Sequence, residues 1–205
     1  MVARSRGAAG EKKVAYTVAS ASDSSLVKET DVSAATEVRQ LRRRFRSVAA
    51  LQDAQQKGFE LEALIFSLAR LTFGFAVPAY SVHKDSDGVI RQVDGFFAAR
   101  GYKYRVECKW RAERASQNDI VIFENKLDVA GVSGLFISMA GFTDPAVSQA
   151  REVRRRTPIL LMDGDEVEAI FEKRIRFDEL ISKKRSYFDR YSHPYHRVVA
   201  IEDDT

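Results

Sequence analysis

The stretch Tyr102-Lys103-Tyr104-Arg105-Val106-Glu107-Cys108-Lys109-Trp110-Arg111 alternates without a break. Successive side chains of an extended strand point to opposite faces. Tyr102, Tyr104, Val106, Cys108 and Trp110 therefore share one face, and Lys103, Arg105, Glu107, Lys109 and Arg111 share the other. The apolar face belongs to a core, which assigns Cys108 to packing. Glu107 and Lys109 stand together on the charged face. Upstream, residues 89–98 read as a second strand, joined to the first by a turn at Arg100-Gly101. In it Gln92 and Asp94 share a face while Val93 packs away. Pairing the two strands brings Asp94 beside Glu107.

Outward from this hairpin the chain reads as alternating elements. Residues 58–73 suit a helix, with Leu61, Leu64, Ile65, Leu68 and Leu71 on its apolar side. Residues 75–82 suit a strand, and Pro78 in it argues for an edge or a bulge. Residues 83–88 are a polar turn. After the hairpin, Ser116 or Asn118 opens a helix carrying Ile120, Phe123, Leu127 and Ala130. The apolar runs 134–139 and 158–162 have the length and composition of buried parallel strands. Asp144-Pro145 starts a helix between them, with proline in its first turn. Helices at 165–173 and 177–191 close the pattern. The expected fold is α/β, a mixed central sheet flanked by helices on both faces and preceded by an N-terminal helix.

That N-terminal helix spans 33–55, with Ser33 as its cap and Val38, Leu41, Phe45, Val48 and Leu51 at helical spacing. Arg39, Arg42, Arg43, Arg44 and Arg46 make its remaining surface basic. Arg42 and Arg43 are candidates for nucleic-acid backbone contacts, although a solvated helix face has the same composition. Four units are expected: a disordered or loosely attached arm at 1–32, the basic helix at 33–56, a core domain at 57–192 and a C-terminal tail at 193–205. Of the 205 residues 45% are hydrophobic and 30% charged, ordinary for a globular protein, and the net charge of +4 suits a polyanionic partner. A single cysteine excludes an internal disulfide framework and fits a cytoplasmic, reducing setting. No apolar run reaches the length of a membrane span, and no secretory signal is expected at the N-terminus.

Two carboxylates and a lysine on one face have a definite chemical use. Mg²⁺ takes hard oxygen ligands and keeps several waters, so one or two carboxylates suffice to hold it against a substrate phosphate. The ion polarises the phosphoryl oxygen and lowers the pKa of water, and a nearby lysine can stabilise developing negative charge. The spacing from Asp94 to Glu107 to Lys109 resembles the PD-(D/E)xK nuclease superfamily, with its restriction-endonuclease-like fold. Three flanking segments sharpen the resemblance: Lys57-Gly58-Phe59-Glu60-Leu61-Glu62, Gln92-Val93-Asp94-Gly95 ahead of Glu107-Cys108-Lys109-Trp110, and Gly134-Leu135-Phe136-Ile137-Ser138 followed by Gly141-Phe142. In this order they are similar to a bacterial branch close to the Mrr-type restriction endonucleases, over about residues 57–165. Val93 stands where much of the superfamily has proline.

The resemblance implies a Mg²⁺-dependent endonuclease, with Mn²⁺ as a substitute ion. It makes Asp94 and Glu107 metal ligands, with the Cys108 carbonyl a third. Lys109 would act on the attacking water or the scissile phosphate. Glu62 would join through a water or a second ion, with Glu60 the alternative, and Gln92 would support the site. DNA is the expected substrate, with RNA open, and restriction or phage defence the expected setting. Cutting both strands takes two sites, so a homodimer is expected, and a partner protein would supply sequence specificity. The rival expectation is a nuclease-fold module that binds nucleic acid or a protein without cutting. A basic patch at Arg151, Arg154, Arg155 and Arg156 would serve either. His193-Pro194-Tyr195-His196 reads as a C-terminal turn with exposed aromatics, because two histidines alone do not make a zinc site.

Overall fold

The computed structural model describes residues 23–77, 80–82, 91–93, 95–127, 131–153 and 157–199, with the backbone alone described at 23–34, 80–82 and 91–93. The arm at 1–22, Pro78, the polar turn at 83–88, Asp94, Ala130, Arg154, Arg155, Arg156 and the acidic stretch 202–204 lie outside the described residues.

The elements run α1 (Asp23–Ala49), α2 (Ala54–Phe73), β1 (Ala76–Val77), β2 (Tyr80–Val82), β3 (Arg91–Val93), β4 (Phe96–Ala99), β5 (Tyr102–Lys109), α3 (Gln117–Lys126), β6 (Val132–Ser138), α4 (Asp144–Glu152), β7 (Ile159–Asp163), α5 (Gly164–Phe171) and α6 (Phe177–Tyr191). A five-stranded sheet has the order β1-β4-β5-β6-β7, antiparallel from β1 to β5 and parallel from β5 to β7. β2 and β3 pair with each other in a separate antiparallel ribbon.

Each face of the main sheet has its own core. Phe97, Tyr104, Val106 and Cys108 pack with Leu135, Ile137, Leu160 and Met162 under α2, α5 and α6, with Phe45 and Val48 of α1 added at the side. Phe136, Ile159 and Leu161 pack on the other face against Ile120 and Phe123 of α3 and Ala146 and Ala150 of α4. β6 and β7 are buried on both faces, which explains their unbroken apolar runs. The expected mixed sheet with helices on both faces is therefore the observed architecture. No helix among the described residues is long and apolar enough to cross a membrane.

Several elements differ from the sequence reading. α1 begins at Asp23, ten residues before Ser33, and ends at Ala49 rather than 55. Arg46 lies in its last turn, where a positive charge complements the helix dipole. The break at its end belongs to Asp53, whose Oδ1 accepts from the Gln56 backbone amide at 2.6 Å and starts α2 four residues earlier than expected. The strand expected at 75–82 divides into β1 and β2, and the one at 89–98 into β3 and β4. In both cases the chain leaves one sheet and joins the other. The segment 193–199 is not a turn with exposed aromatics. It packs alongside β7, where the Leu161 amide donates to the Pro194 carbonyl at 3.0 Å and the Tyr195 hydroxyl donates to Asp163 Oδ2 at 2.6 Å.

Candidate active site

β5 places the charged residues as its alternation requires. Tyr104, Val106 and Cys108 are buried, while Arg105, Glu107 and Lys109 are half-buried on the opposite side. Lys109 Nζ lies 3.1 Å from Glu107 Oε1, an ion pair along one face of the strand. Burial pushes the Cys108 thiol well above its ordinary pKa, and Glu62 and Glu107 push it further, so it is a packed thiol and no nucleophile.

α2 brings the helix residues to the same place. Its Gly58 lies directly against β5, where a Cβ would meet the Cys108 carbonyl oxygen at 3.2 Å. One turn later stands Glu62, half-buried, its pKa pushed up to about 7, first by desolvation and then by the neighbouring Glu107 carboxylate. Lys126 and Lys109 act on it in the opposite direction. Glu60 is elsewhere: its Oε2 pairs with Arg44 Nη2 of α1 at 2.5 Å. Of the two helix carboxylates, Glu62 is the one gathered with Glu107.

One member of the cluster was not found by sequence reasoning. Lys126, in the last turn of α3, donates from Nζ to Glu107 Oε2 at 2.7 Å. The signal exists only once strand pairing is known. Glu107 is the register partner of Phe136, Phe136 meets Phe123 edge to face at 5.4 Å, and Lys126 follows Phe123 by three residues on the helix. On β6 the register partner of Lys109 is Ser138, buried, with no hydrogen-bond partner for its hydroxyl among the described residues.

The remaining candidates are dispersed. Gln92 lies on β3, paired with Ser81 in the two-stranded ribbon, and not on the strand that pairs with β5. Arg43 is exposed and Arg42 half-buried on α1. Trp110 follows β5 directly, with the Lys57 ammonium 5.8 Å from its ring centroid and the Phe45 ring tilted against it at 5.3 Å.

The donor chemistry fits a hard divalent cation. Glu62, Glu107 and the Cys108 carbonyl are all oxygen donors, and the Glu62 carboxyl is raised by burial first and by the Glu107 carboxylate second. No group of three His, Cys, Asp or Glu side chains gathers among the described residues, so a cation held here would rely on that carbonyl, on water or on residues outside the described set.

A family model described as restriction endonuclease, Mrr_cat, matches residues 53–171, from the cap of α2 through the end of α5. Among solved structures the chain is similar to the DNA modification-dependent restriction endonuclease AspBHI, at 15% identity and a TM-score of 0.39, over 76% of this chain and 39% of that one. The chain thus spans well under half the length of that protein. The comparison with curated proteins returned no match. The matched stretch takes in the whole five-stranded sheet, both helices that contribute to the charged cluster, and more than half of the sequence. On that match the chain belongs to the Mrr_cat restriction endonuclease family.

Proposed function

We propose that the chain is a divalent-cation-dependent endonuclease that hydrolyses phosphodiester bonds of DNA. The observation that carries this reading is the cluster of Glu62, Glu107, Lys109 and Lys126, assembled from α2, β5 and α3 inside the matched domain. Mg²⁺, or Mn²⁺ in its place, would be held by Glu107, Asp94 and the Cys108 carbonyl, and would supply Lewis-acid activation of the phosphate. Asp94 lies outside the described residues, and its place here is taken from the resemblance of the Gln92-Val93-Asp94-Gly95 motif to the family.

The chain's own groups divide the remaining work. Glu62, with a pKa near 7, is matched to taking a proton from an attacking water near neutral pH. Lys109 stands on the same face as Glu107, placed to stabilise negative charge as it develops on the phosphate. Arg42 and Arg43 of α1 supply backbone contacts to DNA. A homodimer for double-strand cleavage, a partner protein for sequence specificity, a cytoplasmic setting and a role in restriction or phage defence belong to the same proposal. These last points rest on analogy with the family.

The test is cleavage of plasmid DNA with Mg²⁺ or Mn²⁺ by the wild type, Asp94→Ala and Lys109→Ala. Metal-dependent cutting by the wild type and at least a hundredfold loss in each variant is the expected result. Equal cutting by all three removes the site assignment. Salt-sensitive DNA binding that needs no divalent ion and yields no product favours the non-cutting module instead.

A further inference from the structure

Glu107 has both carboxylate oxygens engaged. Oε1 faces Lys109 Nζ at 3.1 Å and Oε2 faces Lys126 Nζ at 2.7 Å. The two lysines are not equivalent. Lys109 sits two residues from Glu107 on the same strand, with 36% of its side chain exposed, and belongs to the motif itself. Lys126 reaches in from the last turn of α3 with 44% of its side chain exposed, on a flexible four-carbon stem, so solvent is open to it as an alternative.

The position is also unusual for its helix. A lysine in a last turn ordinarily favours the carbonyl end of its own helix dipole. Here the ammonium crosses to the sheet and is spent on a carboxylate. It acts on Glu62 as well, more strongly than Lys109 does. An ammonium so placed is a monovalent cation held on an oxygen that a divalent cation needs. The two compete for one lone-pair region, and mass action makes the side chain's departure part of the cost of metal binding.

We propose that Lys126 is the resident counter-ion of this site: it holds the Glu107 carboxylate when no metal is bound, is displaced from it by the divalent cation, and then turns to the DNA phosphate entering the cluster. The inference rests on the metal-dependent reading above. It predicts effects of opposite sign from one substitution. Removing the ammonium lowers the barrier to metal entry and also removes a positive charge from the phosphate. A purely structural role would weaken both metal binding and cleavage.

The experiment measures Mn²⁺ binding to the full chain without DNA, by electron paramagnetic resonance of the free ion, for wild type, Lys126→Ala, Lys126→Gln and Lys126→Arg. Glu107→Gln identifies the site, because its binding should disappear there. Lys126→Ala and Lys126→Gln are expected to bind Mn²⁺ about three- to tenfold more tightly than wild type. Lys126→Arg should stay within about twofold of wild type, since the charge is kept. At saturating Mn²⁺ the two neutral variants should cut DNA more slowly. Wild-type affinity that is unchanged or weakened in both neutral variants, with circular dichroism unchanged, overturns the counter-ion role and leaves the metal site standing. Absence of Mn²⁺ binding in wild type overturns the metal site itself and the inference with it.

Discussion

Glu62 carries a cost that pH exposes. Its carboxyl keeps a proton up to about pH 7 in the folded protein, against an ordinary value of 4.5. Below the ordinary value the group is neutral in both states and costs nothing. As pH rises through 4.5 to 7 the unfolded chain sheds the proton first, so folding loses stability over that window, and the full penalty stands above it. Glu62→Gln is therefore expected to stabilise the metal-free protein at pH 8 by about 1–2 kcal/mol, discounted for partial exposure, with no gain near pH 4. Thermal melts at the two pH values check this, and equal shifts at both would contradict it. Added Mg²⁺ should stabilise wild type more than the variant at pH 8, because the carboxylate is what the cation relieves.

At this same scale the strand alternation was legible. A period of two separates Cys108 from Glu107 and Lys109 with no knowledge of the sheet. The choice between Glu60 and Glu62 was not legible, because both precede or follow apolar helix positions. It took the Arg44 ion pair to place Glu60 outside the cluster. Lys126 was invisible for a stricter reason. It reaches Glu107 across 19 residues, through a parallel register that no local pattern encodes.

Among the elements, glycines mark where α2 and α3 press on the sheet. A Cβ at Gly134 would stand 2.7 Å from Phe123 Cε1 and 2.8 Å from Leu127 Cδ1, both on the α3 side. Gly134→Ala must therefore displace these side chains, which anchor α3 to the sheet. A loss of about 1–3 kcal/mol is expected, read as a lower urea midpoint with an unchanged slope. Because Lys126 rides on α3, the same variant should also disturb its contact with Glu107. At Gly58 the obstacle is milder, a carbonyl oxygen at 3.2 Å, so Gly58→Ala should cost activity more than stability. The apolar runs behind β6 and β7 were readable nearly to the residue, since strands covered on both faces show uninterrupted hydrophobicity. The divided strands were not readable. β1 and β2, like β3 and β4, are each one sequence run whose pairing partner changes midway, and periodicity is blind to partners.

In the whole molecule, the C-terminal segment is tied to the core through buried charge. Lys184 and Glu166, 1% and 0% exposed, pair at 2.6 Å behind β7. Lys184 also donates to the carbonyls of Leu161 and His196, and Glu166 Oε1 accepts from the Val198 amide at 2.9 Å. Arg197 adds ion pairs to Asp163 and Asp165. Lys184→Ala leaves Glu166 buried without its partner and is expected to cost about 3–5 kcal/mol. The double variant Lys184→Met with Glu166→Leu should recover much of that loss, since a buried ion pair contributes little beyond an apolar pair of similar volume. Chemical denaturation of the three proteins decides it, and a double variant no better than the single one would contradict the account. The tie matters for the site because β6 and β7 flank β5 on one edge, β4 on the other, and α2 covers its apolar face.

On the proposed function, Glu107 would hold the divalent cation that DNA hydrolysis needs. The most direct measurement is the rate of supercoiled plasmid cleavage against Mg²⁺ concentration, for wild type and Glu107→Gln, with circular dichroism confirming that both are folded. The prediction is cutting by wild type that rises with Mg²⁺ and stops in chelator, with at least a hundredfold loss in Glu107→Gln. Cleavage that is indifferent to Mg²⁺, or equal in the two proteins, would contradict it.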